Sequence, residues 1–137
     1  MFKKPKKRIG RRGFKIDPQA TKEMREAGRY VDPRSFRSIC GHDILYGTDM
    51  GVRRAEVHVR DHGRCMLTLS PRCRGFANRR YGEVDHIIPR GKGGSDDLEN
   101  LRWTCVPCHR LRHVHPRWGE RRAEAHEEFR KLMENEV

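Results

Sequence analysis

Four of the five cysteines lie in one stretch, residues 65–109, which reads CMLTLSPRCRGFANRRYGEVDHIIPRGKGGSDDLENLRWTCVPCH. Cys105 and Cys108 form a CxxC pair, whereas seven residues separate Cys65 from Cys73 upstream. Four thiolates can hold a zinc ion tetrahedrally, and soft sulfur ligands suit zinc. The CxxC pair is typical of a metal knuckle, while the upstream spacing is unusual for one. The sequence therefore predicts a structural zinc site with no ligand position left open for chemistry.

Three alternatives compete with this prediction. Small buried cysteines are common in protein cores. A CxxC pair can also be a redox centre, although no thioredoxin-like strand and helix surround this one. His109 could serve as the fourth zinc ligand in place of Cys65 or Cys73. Cys40, the fifth cysteine, is expected to be an ordinary core or surface thiol.

The same stretch predicts a short series of elements. They are a strand over residues 83–88, a glycine-rich loop, a second strand over residues 101–104 and a helix over residues 107–113. Pro89 and Pro116 are expected to end the first strand and the helix, because proline lacks a backbone N–H group. The acidic loop residues are expected to be solvated charges, one of which could lie near a metal; they are Asp96, Asp97 and Glu99.

The run DHIIPRGKGGSDDLENLRWTCVPCH, together with the upstream cysteines, resembles the HNH endonuclease family in residue type and in order. The resemblance covers roughly residues 60–115. It implies an α+β fold with a small ββα-metal core, similar to a treble clef, that is stapled by zinc and has flanking helices. It also implies an enzyme that uses a divalent metal ion to hydrolyse phosphodiester bonds in DNA.

The resemblance assigns roles to individual side chains. His86 would be the general base that activates water, since a neutral imidazole can accept a proton near pH 7. Asp85 and His109 would hold a catalytic Mg²⁺ or Mn²⁺, an ion that can stabilise charge on the phosphate. Asn100 would either orient His86 or reach the metal. His113 would share a helix face with His109, so it could contact the metal or a phosphate, or could be an ordinary surface residue.

Composition supports a polyanionic partner. The chain of 137 residues has a net charge of +12, with 36% charged and 34% hydrophobic residues. Clustered Lys and Arg bind phosphates with release of counterions, which favours nucleic acid, and the resemblance favours DNA. The small hydrophobic fraction predicts a small core that needs a staple such as a metal. A non-catalytic zinc module that binds nucleic acid is the alternative function, and a ribosome-associated zinc protein is a third.

The remaining chain is divided by its composition. We predict a basic disordered arm over residues 1–16, a helical extension over 17–59, the nuclease domain over 60–115 and a charged C-terminal helix over 116–137. In the extension, Asp17-Pro18 and Asp32-Pro33 both carry helix-start signals. A further helix is expected from Thr48 to about Arg60, with a strand at its end as an alternative.

Two expectations concern the setting of the protein. No stretch approaches the roughly 20 apolar residues of a membrane span. The basic N-terminus is not followed by the apolar region of a signal peptide. A cytoplasmic protein is therefore expected, in the host cytoplasm if the protein is encoded by a phage. The resemblance also allows a homodimer or a phage packaging (terminase) partner.

Overall fold

The computed structural model describes residues 13–114. Most of the predicted basic arm and all of the predicted C-terminal helix therefore lie outside the described residues. The described chain divides into two compact units. The N-terminal unit comprises residues 13–53 and 88–100, and the cysteine unit comprises residues 54–87 and 101–114. Within residues 13–114, no helix has the length and apolarity needed to cross a bilayer.

Three α-helices and two antiparallel two-stranded sheets make up the regular structure of the described range, which confirms the α+β class. The elements in chain order are α1 (Pro18–Glu26), β1 (Phe36–Arg37), β2 (Asp43–Ile44), α2 (Gly47–Arg60), β3 (Glu83–His86), β4 (Leu101–Thr104) and α3 (Val106–Val114). The predicted order of strand, loop, strand and helix is confirmed in the last three elements. The loop contains short 3-10 turns over Arg90–Lys92 and Leu98–Asn100.

Helix α1 begins as its sequence predicts. The Asp17 carboxylate accepts a hydrogen bond of 3.0 Å from the backbone N–H of Ala20, and Pro18 occupies the first turn. This is the standard way to satisfy an N-terminal amide that has no partner within the helix. The helix ends at Glu26, followed by Gly28 in the left-handed region at φ 71°.

The second predicted helix start, at Asp32, is wrong. There the carboxylate accepts hydrogen bonds from the backbone and the guanidinium of Arg34, two residues on, and closes a turn. Asp followed by Pro starts turns as well as helices, because the aspartate side chain can bind the backbone of either. Strands β1 and β2 follow, with Phe36 opposite Ile44, so the extension is not purely helical.

Helix α2 begins at Gly47, one residue before the predicted start, and remains helical to Arg60. The alternative of a strand at its end is therefore wrong.

In the N-terminal unit a buried carboxylate, Asp43, accepts hydrogen bonds from the Tyr30 hydroxyl and from the guanidinium groups of Arg37 and Arg53. Burial, aided by this carboxylate, raises the pKa of Tyr30 well above its usual value.

Strands β3 and β4 form the hairpin of the cysteine unit, with Asp85 directly opposite Arg102 and His86 opposite Leu101. The first strand ends at His86 rather than at the predicted residue 88. The strand ends early because other groups bind the backbone beyond it. The carbonyl oxygens of His86 and Ile87 accept hydrogen bonds from the Arg112 guanidinium, so a side chain of α3 occupies acceptors that a longer strand could use.

Trp103 is the largest fully buried side chain of the cysteine unit. Its indole N–H donates to the carbonyl of Ala77 at 2.7 Å, and its ring packs edge-on against His58 with centroids 4.8 Å apart. Gly82 lies against this ring, so close that an added Cβ would be 2.1 Å from a ring carbon. Only a residue without a side chain fits at position 82.

Replacing Gly82 by alanine is therefore expected to destabilise the protein by about 3 kcal/mol, because an inserted methyl must displace a close-packed indole. Urea unfolding followed by tryptophan fluorescence measures the loss. Gly51→Ala is the matched control, since its Cβ would meet nothing within 4 Å in helix α2. That control should gain about 0.5–1 kcal/mol of stability. Equal unfolding midpoints for the two variants would contradict the packing at position 82.

Candidate functional site

The four clustered cysteines come from three parts of the cysteine unit. Cys65 follows the turn after α2, Cys73 lies in the long loop before β3, and Cys105 and Cys108 flank the start of α3. Their sulfur atoms all lie within 4.8 Å of one another. A tetrahedral zinc site with bonds of about 2.3 Å has sulfur atoms roughly 3.8 Å apart. The donor set therefore fits zinc. Cys65 and Cys73 reach the CxxC pair although seven residues separate them in the sequence.

Backbone hydrogen bonds explain how the upstream loop reaches the CxxC pair. The Cys65 N–H donates to the Gly75 carbonyl at 2.9 Å, which folds the loop back on itself. The Met66 N–H donates to the Trp103 carbonyl at 2.8 Å, which fixes the loop beside β4. Other amides point at the sulfur atoms, as thiolates require. Those of Leu69 and Ser70 donate to Cys108 Sγ at 3.3 Å.

Burial and crowding set the acidity of these thiols. Burial raises the pKa of Cys105 and of Cys73 above the usual value, and the neighbouring thiols add to the effect. Burial opposes ionisation of Cys65 too, but backbone N–H groups outweigh it and leave the pKa of Cys65 below its usual value. The remaining cysteine, Cys40, is exposed and outside the cluster.

A second polar cluster surrounds Asp85, which is 1% exposed. Arg102, on the facing strand, donates through Nε to Asp85 Oδ2 at 2.7 Å. Arg112 Nε lies 3.4 Å from Asp85 Oδ1, and His109 Nε2 lies 3.5 Å from the same oxygen. Burial lowers the pKa of Arg102, and Asp85 opposes this effect. The two guanidinium groups fix the carboxylate so that Oδ1 faces α3.

His109 is oriented by a second carboxylate. Its Nδ1 atom forms a short hydrogen bond with Glu83 Oε2. An imidazole that donates through Nδ1 to a carboxylate keeps a lone pair on Nε2, the arrangement usual for metal-bound histidines. His109 Nε2 lies 3.1 Å from His113 Nε2. His109 Nε2 is thus in contact with both Asp85 Oδ1 and His113 Nε2, so one oxygen and two nitrogen atoms of metal-binding residue types are neighbours here.

The alternative that His109 completes the zinc site is wrong. All four cysteines are present in the cluster, and His109 instead contacts Glu83, Asp85 and His113. His86 is half-buried at the end of β3. Since neighbouring strand residues point to opposite faces, Asp85 and His86 could serve one site only near a strand end, and β3 does end there.

Asn100 belongs to the N-terminal unit, where its side chain binds the main chain of the loop between β3 and β4. Its Oδ1 accepts a hydrogen bond of 2.8 Å from the Ile88 N–H. Its Nδ2 donates to the Ile88 carbonyl at 3.1 Å and to the Ser95 carbonyl at 2.8 Å. The amide group thereby joins the two ends of the loop.

Residues 70–115 match the model of a family described as HNH endonuclease. Over this segment, called the HNH segment below, the chain is similar to HNH endonuclease domains. The match includes the second cysteine, the DH pair, the asparagine and the CxxCH sequence, but it leaves out Cys65 and everything before residue 70. No curated protein and no solved structure matches the chain.

Sequence reasoning missed three residues of the HNH segment, namely Glu83, Arg102 and Arg112. Glu83 could have been found, because it lies two residues before Asp85 and so shares its strand face. The arginines had no such signal in a chain with 31 Lys and Arg.

The prediction that the acidic residues of the loop are solvated is wrong for two of them, since Asp96 is fully buried and Asp97 is partly buried. Glu99 is exposed, as predicted.

Proposed function

We propose that this protein is a metal-dependent endonuclease that hydrolyses phosphodiester bonds of DNA. The observation that carries the proposal is that His109, oriented by Glu83, contacts both Asp85 and His113 within the segment that matches the HNH family. The net charge of +12 supports a nucleic-acid substrate. A zinc module that only binds nucleic acid would need the cysteines and the charge, but it has no need for a carboxylate-oriented histidine beside a second carboxylate.

Zinc is the proposed occupant of the cysteine cluster. Its role is structural, because four protein ligands leave no coordination position for a substrate. The cluster joins the long loop to α3, and Leu67 and the partly buried Leu69 pack around it. None of the five cysteines, all within residues 13–114, forms a disulfide, which suits the proposed cytoplasmic location.

The proposed catalytic roles follow the positions of the side chains. His86 is the general base that takes a proton from the attacking water. Asp85 and His109, with His113 as an auxiliary ligand, would hold Mg²⁺ or Mn²⁺. When bound, such an ion neutralises charge on the scissile phosphate. Asn100 acts by positioning, because the loop main chain already engages both its amide oxygen and its amide nitrogen.

Plasmid cleavage tests the proposal. Supercoiled DNA is incubated with the purified protein in buffers that contain Mg²⁺, Mn²⁺ or no added divalent ion. We expect cleavage only with the added ion, and a protein that leaves the plasmid intact under every condition would overturn the proposal. A nicked product indicates one active site per event. Linear DNA without a nicked intermediate indicates two sites acting together, as in a homodimer.

Glu83→Gln is expected to weaken Mn²⁺ binding by about 10- to 100-fold, because the oriented histidine loses its anionic partner. Isothermal titration of zinc-loaded protein with Mn²⁺ measures this directly, without reference to activity. The matched control is Glu56→Gln, an exposed carboxylate on α2. Unchanged Mn²⁺ affinity in Glu83→Gln, with the zinc content intact, would remove Glu83 from the metal site.

A further inference from the structure

The loop between β3 and β4 is bound to the N-terminal extension by two aspartates. Asp96 is fully buried, and its Oδ2 accepts a hydrogen bond of 2.8 Å from the Leu45 N–H. Its own N–H donates to the Asp43 carbonyl at 2.9 Å. From α2, Arg53 donates to the Asp96 carbonyl at 3.1 Å. Strand β2 and helix α2 thus both hold the loop at this residue.

Asp97 adds a second set of bonds at the same place. Its Oδ1 accepts a hydrogen bond of 2.8 Å from the Asp43 N–H. Its Oδ2 lies 2.6 Å from His42 Nδ1 and accepts a bond of 2.9 Å from the Ser95 hydroxyl. We call Asp96 and Asp97 the loop clasp. The clasp thus accepts hydrogen bonds from the backbone amides of Asp43, in β2, and of Leu45, the residue that follows β2.

The loop is also closed within itself. Gly94 donates through its N–H to the Pro89 carbonyl at 2.9 Å. It approaches the first residue of the loop so closely that an added Cβ would lie 1.7 Å from the Ile88 carbonyl oxygen. This close contact and the hydrogen bonds of Asn100 with Ile88 and Ser95 make residues 88–100 a compact loop rather than an extended one.

We infer that residues 13–53, the first part of the N-terminal unit, are a positioning element of the nuclease and act by holding the 88–100 loop through the clasp. The inference rests on the proposed function. The loop starts two residues after His86 and contains Asn100, so chain connectivity alone transmits its conformation to the end of β3. The extension lies wholly outside the HNH match at residues 70–115, so this support comes from the chain's own additional segment.

The energetics favour a strong effect. A buried amide left without an acceptor costs about 1–3 kcal/mol. Removal of Asp97 takes the acceptor from the Asp43 amide in β2, and removal of Asp96 takes it from the Leu45 amide just after β2. A displacement of about 1 Å in a group that positions the catalytic site can lower the rate by about 100-fold. Asp96 and Asp97 are thus positioning residues, since the loop that they hold acts through its link to His86.

Asp97→Ala and Gly94→Ala test the inference in the full-length, zinc-loaded protein. Hydrogen exchange of residues 88–100, measured by mass spectrometry, should become faster in both. The turnover number on DNA should fall about 100-fold, while KM and zinc content change less than about twofold, because the cysteine unit is untouched. Asp97→Asn keeps an acceptor for the Asp43 amide, so it should recover most of the turnover number.

The controls separate the possible results. Gly91→Ala should leave exchange unchanged, since its Cβ would meet nothing within 4 Å, and Glu26→Ala removes an exposed carboxylate of α1 at no cost to activity. Unchanged exchange in Asp97→Ala would overturn the clasp. Faster exchange with an unchanged turnover number would overturn its positioning role. A wild-type protein that cuts no DNA overturns the proposed function and the positioning role together, and exchange then decides the clasp alone.

Discussion

His86→Ala is expected to lower the rate of DNA cleavage by about 100- to 10,000-fold, the usual contribution of a general base. The imidazole is the group proposed to take the proton from water, and alanine has no group that can do so. The backbone should stay in place, because the bond from Arg112 reaches the carbonyl of His86 rather than its side chain. Zinc content and DNA affinity should therefore remain those of the wild type.

Single-turnover cleavage with saturating protein measures this effect free of product release. His62→Asn is the control, because His62 is exposed in the turn after α2 and has φ 55°, a conformation that asparagine tolerates. Full activity in His86→Ala would refute its assignment as the base. Loss of DNA affinity or of zinc in the same variant would show that the residue has a structural role instead.

Cys108→Ser is expected to abolish tight zinc binding and to unfold the cysteine unit. Cys108 is fully buried, and two backbone amides donate to its sulfur. A structural zinc ion contributes on the order of 10 kcal/mol of binding free energy, as much as the whole stability of a typical domain. The small hydrophobic core around the cluster cannot replace a contribution of that size.

Elemental analysis should find about one zinc ion per wild-type chain, as a single four-cysteine site requires. Thermal unfolding followed by circular dichroism then reports stability for wild type and Cys108→Ser. Cys40→Ser is the control, because this exposed cysteine lies outside the cluster, and its zinc content and melting temperature should not change. A cooperative melt of the wild-type protein without any bound metal would contradict the structural role of zinc.

The HNH segment was the part of the fold most open to prediction. The second strand was predicted at its observed bounds, and the helix after it to within one residue at each end, because proline, glycine and the CxxC pair punctuate the chain locally. The cysteine cluster was predicted as well, since ligand chemistry depends on residue type. The first strand was predicted two residues too long. Its end depends on Arg112, which binds the carbonyl oxygens of His86 and Ile87 but lies about 25 residues later in the chain.

The candidate site was predicted only in part, and the catalytic roles of its residues remain predictions. Asp85, His109 and His113 were identified as candidates from their type and order. The partners that set their geometry were not, because Glu83 reaches His109 and Arg102 reaches Asp85 across the sheet and helix. Contacts between residues so far apart in the chain leave no periodic or local signal in a single sequence.

The sequence by itself determined the chemistry available to this protein, namely four thiolates, a DH pair, an asparagine and two histidines on one helix face, carried on a strongly basic chain. Only the tertiary structure decided which charges are buried and what they hold. The sequence predicts Asp96 and Asp97 to be solvated charges in a polar loop, yet they bind backbone amides in β2 and immediately after it. The physical reason is that a carboxylate is stable either in water or among donors, and only the folded chain determines which surrounds it.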